Sequence, residues 1–181
     1  MTDSLAQARQ DLEPAAARGN PFGALAAYVQ RAGPGERAAL ARLVPEALRP
    51  HEIAALSRAL LFAGLQPDTW RSDTWPRWAL IAHGIALAGH DGAGRLGRQL
   101  AQASVAESRV TKLLTARGEA FRQLLPRVLR LLASKGVRPN WFELGELVLK
   151  ESSSAREEID KTEQLRLRIA SAYFAAQAAK N

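Results

Sequence analysis

The chain contains no cysteine. That single absence removes disulfides, thiol nucleophiles and cysteine-ligated zinc together. Histidine is scarce as well, with only His51, His83 and His90. Residues seven apart on a helix are separated by roughly 10 Å along its axis, too far for His83 and His90 to share a metal ion. No apolar run approaches the ~20 residues that span a bilayer. The opening stretch MTDSLAQARQDLEP carries acids and no apolar run, unlike a secretory signal, so a cytoplasmic protein is expected. Alternating β-branched runs are missing too, which leaves little from which to build a sheet. The expectation is a protein that is not an enzyme and needs neither cofactor nor metal.

What is present is helix signal. Of 181 residues, 47% are apolar, enough for one domain or two small lobes sharing an interface. In NPFGALAAYVQRAG, Asn20 suits an N-cap, Pro21 the first helical position and Gly33 the stop. GERAALARLVPEAL (35–48), HEIAALSRALLFAGL (51–65) and SDTWPRWALIAHGIALAGH (72–90) continue at helical period. Two short helices are predicted within 94–116, then one each at 119–135, 140–150 and 154–178. The fold class is therefore all-α, with about eight to nine helices in two small lobes. Residues 21–90 form the first lobe and the basic 91–181 the second, with GHDGAG as the hinge between them. Residues 1–20 are expected to be a flexible or partly helical extension. Trp70, Trp75 and Trp78 read as lobe packing, His83 as a core or boundary residue, and His90 with Asp91 as a helix end. The acids Glu157, Glu158, Asp160 and Glu163 crowd the first turns of the last helix, where its dipole favours negative charge.

Acidic residues are nearly absent from one segment. Residues 92–138 hold ten of the 25 Lys and Arg but two of the 18 Asp and Glu, a local balance of +8. The rest of the chain, with 15 cations and 16 acids, sums to −1, so this segment carries the whole excess behind the net +7. Segregation of that kind is expected where a surface faces phosphates. Within it, a wheel at 100° per residue puts Phe121, Leu124, Leu125, Val128, Leu131 and Leu132 on one face of the 119–135 helix. Gln123, Arg127, Arg130 and Ser134 fall opposite, with Pro126 on the polar side and Arg122 at the boundary. Arg127 and Arg130 are thus presented outward three residues apart, like Arg109 and Lys112 on the preceding helix. Guanidinium forks at that spacing suit neighbouring phosphates. Arg95, Arg98 and Arg117 extend the same stripe.

Two motifs in this segment invite other readings. GAGRLG, 92–97, has the spacing of a dinucleotide-binding loop, but a helix precedes it and no strand follows. Its glycines are better suited to capping one helix and turning tightly into the next. LAQASVAESRVTKLL, 100–114, has the outline of a helix-turn-helix, with Val110 and Leu113 as its apolar anchors and Ser104 at the usual glycine. The charge runs on beyond any recognition helix, through Arg122 to Arg138, which suits backbone tracking over base reading. A helix-turn-helix regulator and a helical protein-interaction adaptor with incidental charge stay as alternatives.

In order and spacing, GRLGRQLAQASVAESRVTKLLTARGEAF, an Arg-bearing amphipathic helix and GVRPNWFELGELVL together resemble the CasB small subunits of type I-E CRISPR Cascade. The corresponding residues are Gly97, Leu100, Ala101, Glu107, Arg109, Leu113, Leu114, Ala116, Val137, Asn140, Trp141 and Leu144. GPGERAALARL and the terminal IASAYFAAQ add weaker likeness at either end. Asn140 stands where the family has Asp; Asn caps equally well, and Glu143 is expected to complete a capping-box-like pair with it. The resemblance implies an all-helical, non-enzymatic protein, present in two copies in the inner belly of the complex. It implies contacts with the crRNA and target DNA backbone, with the large subunit and backbone subunits, and with a second copy of itself. Base pairing would supply the sequence recognition. The residues expected to face nucleic acid are Arg95, Arg98, Arg109, Lys112, Arg117, Arg127 and Arg130.

Overall fold

A computed structural model describes residues 19–180. The expected N-terminal extension lies, as far as residue 18, outside the described residues. Among the described residues there are nine α-helices, one 3-10 turn and no strand. The fold is all-α, as the sequence predicts.

Helix α1 (Pro21–Arg31) starts as its sequence demands: Phe22 N donates to Asn20 Oδ1 at 3.0 Å, and Pro21 takes the first helical position. Helix α2 (Pro34–Ala41) is shorter than its period suggests. Pro45 disfavours helical geometry at Val44 and lacks a donor, so the stretch to Leu48 turns instead of continuing. Helix α3 (Pro50–Phe62) opens with a buried Glu52 whose carboxylate accepts from the Arg49 backbone N–H at 2.8 Å. A 3-10 turn (Pro67–Thr69) leads to the tryptophans. Trp70 and Trp78 stack with centroids 5.8 Å apart, and Phe22 stacks on Trp78 at 5.7 Å.

Helix α4 (Thr74–Ala88) is the axle of the molecule. Residues 78–85 are all buried, because α1, α2, α7 and α8 surround it. A helix hemmed in on every side has no polar face to keep, and this one has almost none. The remaining helices are α5 (Leu96–Gln102), α6 (Glu107–Thr115), α7 (Gly118–Ser134), α8 (Trp141–Lys150) and α9 (Arg156–Ala178). One buried apolar cluster runs from Phe22 to Tyr173 and crosses the 90/91 boundary through α4.

The glycine-rich connection between α4 and α5 is laced down. Gly89 ends α4 at φ 77°, a left-handed geometry glycine adopts without strain. Beyond it, Asp91 N donates to Pro139 O, Asn140 Nδ2 to Gly94 O at 2.7 Å, and Gln99 Nε2 to Asp91 O at 3.1 Å. Glu143 accepts from Leu96 N at 2.6 Å, so it caps α5 and does not close a box with Asn140. His90 differs from expectation in the same way. Its Nδ1 accepts from Trp141 N at 3.1 Å, so it serves the start of α8 and not the end of its own helix. Loop 89–95 and the N-terminus of α8 therefore cap each other, which fixes where α5 and its arginines stand.

Candidate nucleic-acid interface

The basic segment is built on three consecutive helices. Helix α5 turns into α6 at Ser104, which has φ 57°, the only positive φ of a non-glycine among the described residues. Ser104 N donates to Ala101 O and Val105 N to Leu100 O, each at 3.0 Å, closing the turn tightly. Val105 is buried and its carbonyl accepts from Tyr173 Oη at 2.7 Å, which pins the turn to α9. Helix α6 then buries Val110, Leu113 and Leu114 and exposes Ser108, Arg109, Thr111, Lys112 and Thr115. That is the one-sided pattern a surface helix needs.

Helix α7 buries Phe121, Leu125, Val128, Leu129 and Leu132. Leu124 and Leu131 are half-buried at the edge, so the inner face is turned slightly from the wheel's expectation. Contact with α4 draws Leu129 inward. The outer face is as predicted: Gln123, Arg127, Arg130 and Ser134 are exposed. Arg122 at the boundary lies 3.1 Å from Glu46 and 3.5 Å from Glu151.

Arg95, Arg98, Arg109, Lys112, Arg127 and Arg130 are all exposed, and among the described residues none forms an ion pair. Lys112 and Arg127, from successive helices, line one surface groove with Thr115, Ala116, Ala120, Gln123 and Leu124. Arg95 and Arg98 stand one helix earlier, across the Ser104 turn. Arg117 is placed differently. Its Nη2 pairs with Glu163 at 2.6 Å, while Nη1 donates to the Leu114 and Ala116 carbonyls at 3.0 and 2.9 Å. Both carbonyls lie at the end of α6, where the helix's own donors run out.

Sequence reasoning missed the polar cluster beside this elbow. Glu151, its side chain 1% exposed, accepts from Gly118 N. Arg166, 6% exposed, donates to Glu163 at 2.6 Å, and its Nε and Nη2 have no partner among the described residues. Burial lowers the Arg166 pKa and the neighbouring Arg117 charge adds to that, against the pull of Glu163. Only the Arg166–Glu163 contact is local; Glu151 meets Arg122 and Gly118 from 29 and 33 residues away, and Glu163 meets Arg117 from 46, which no local pattern announces.

Among the described residues no group of three or more acidic or histidine side chains is arranged to hold a metal ion, and no helix is long and apolar enough to cross a membrane. The fold and the site together define a helical protein that presents, on the outer faces of consecutive helices, cations without ion pairs among the described residues. The family model of CRISPR-associated protein Cse2 matches residues 36–174, about three quarters of the chain. The chain belongs to that family, the CasB small subunits of the type I-E Cascade complex. No curated protein and no solved structure matches it.

Proposed function

We propose that this Cascade subunit is non-catalytic, works in the cytoplasm, and supports crRNA-guided target DNA binding through sequence-independent contacts with nucleic-acid backbone. The observation that carries the reading is the pairing of Lys112 and Arg127 across one groove, both exposed and free of ion pairs among the described residues. Cations from two helices can engage successive phosphates of one strand, and each contact releases a condensed counterion. Arg109 and Arg130 extend that surface along α6 and α7, and Arg95 and Arg98 extend it to α5. Arg117 contributes least directly, because its guanidinium is already shared between Glu163 and two carbonyls. Phosphate contacts position a nucleic acid without reading it, which suits a complex whose recognition is done by base pairing. The crRNA and target DNA, the large subunit, the backbone subunits and a second copy of the chain are its proposed partners.

A second reading draws on the Ser104 turn, whose left-handed residue sits where a helix-turn-helix keeps glycine. Filter binding on unrelated DNA and RNA sequences separates the two. Backbone binding predicts weak affinity, similar across sequences and falling steeply with salt. A marked preference for one palindromic duplex supports the regulator instead.

A further inference from the structure

The two outer faces that carry the cations belong to helices that have few neighbours in common. Helix α6 packs chiefly against α9 and α7 and is seated by Val110, Leu113 and Leu114; it is short, so its angle to α7 also depends on the segment that joins them. Between them lies the elbow Ala116–Arg117–Gly118, with Gly118 in left-handed geometry at φ 57°. Polar contacts hold that elbow from outside. Arg117 donates to the last carbonyls of α6 and, through Nη2, to Glu163 on α9. The first amide of α7, Gly118 N, donates to Glu151 at the end of α8. Arg166, buried behind Glu163, donates to the same oxygen and fixes the carboxylate in place.

We propose that Arg117 and Glu163 are a positioning pair for the basic surface: with Glu151 behind them, they set the angle at which the α6 and α7 cations meet one polyanion. The inference rests on the backbone-binding reading above and adds an acidic residue to it. Charge alone makes the opposite statement. Glu163 is a negative charge near a phosphate-binding face, and deleting it raises the local positive potential. It also releases Arg117 to become a phosphate contact itself. On that view Glu163→Gln binds more tightly while Arg117→Gln binds less tightly. For a brace, both variants weaken binding, since either one loosens the elbow and fewer phosphates are engaged together.

The test is fluorescence anisotropy of a labelled DNA duplex of unrelated sequence, titrated with full-length protein over a range of salt. Wild type, Glu163→Gln, Arg117→Gln and the double variant are compared. The brace predicts that each single variant binds about five- to tenfold more weakly near 0.1 M salt, the value of one lost contact, with a correspondingly shallower salt slope. It predicts that the double variant is no worse than either single one, because residues acting as one unit are not additive. Glutamine keeps an oxygen that can accept from Arg166 but removes the charge beside a side chain only 6% exposed, so binding is compared under conditions where each variant remains folded. Helical circular dichroism and the melting midpoint of each variant check that point. Tighter or unchanged binding by Glu163→Gln overturns the proposal. The Arg127→Glu/Arg130→Glu protein keeps the two levels apart. If it binds as wild type does, the backbone-binding reading has failed; if it binds weakly while Glu163→Gln does not, only the brace has failed.

Discussion

Gly97 of α5 lies directly against the backbone of Ile169 in α9. A Cβ added to Gly97 would overlap the Ile169 carbonyl oxygen and stand 2.7 Å from the Tyr173 backbone nitrogen. The GAGRLG motif owes this glycine to helix packing, not to a phosphate. Because the obstacles are main-chain atoms, no rotamer change can relieve them. Gly97→Ala should force α5 off α9 and destabilise the protein by about 1–3 kcal/mol, the usual range for overpacking. Urea unfolding checks this as a lower midpoint at unchanged slope. A midpoint equal to wild type contradicts the packing described.

Ser104 supplies a prediction of the opposite sign. Its φ of 57° costs an L-residue energy that glycine does not incur. Glycine also gains entropy in the unfolded chain, which offsets part of the relief. Ser104→Gly should therefore stabilise the protein modestly, by about 0.5–1 kcal/mol. Chemical denaturation measures it, and a loss of stability would show that the hydroxyl has a role the geometry does not reveal.

Two histidines make stability depend on pH. Burial lowers the His83 pKa from its ordinary 6.5; the Leu40 and Ala41 carbonyls oppose this, and the Arg130 charge reinforces it. Burial also lowers His90, against the Pro139 carbonyl and Asp91. In the unfolded chain both take up protons near 6.5, while the folded protein resists. Between that value and the depressed ones the unfolded state binds more protons, so stability falls as pH falls. Urea midpoints should be lower at about pH 5.5 than at about pH 7.5, with the difference reduced in His83→Gln. Equal midpoints at the two pH values contradict the assignment.

Much of this was legible in the sequence, and what was not has a common cause. The order of helices follows from period and from caps such as Asn20 and Pro21, which act within a few residues. The outward placement of Arg127 and Arg130 follows from helical angle alone. By contrast, helical angle alone gives Leu129 no place on the inner face, and only the neighbouring α4 makes that edge a buried one. Local pattern assigns Glu143 and His90 to their own helices, yet each caps a helix about 50 residues away. Arg117 looked like its neighbours in composition. Glu163, 46 residues on, is what sets it apart. Periodicity reports which way a side chain faces, but not which distant partner waits there.

On the proposed function, Arg127 and Arg130, with the cations beside them, hold nucleic-acid backbone and not the fold. Replacing both by glutamate changes exposed positions, where substitutions usually cost within about 0.5 kcal/mol. Leu125→Ala or Trp141→Ala serves as the contrast. Both side chains are fully buried, and truncation should cost about 2–5 kcal/mol. The decisive measurement is target DNA binding by the assembled Cascade complex carrying Arg127→Glu/Arg130→Glu, followed as a function of salt. Weaker binding with a shallower salt dependence, from a subunit that still folds and assembles, is the result predicted. Binding equal to wild type at every salt concentration would contradict the account and place the functional surface elsewhere.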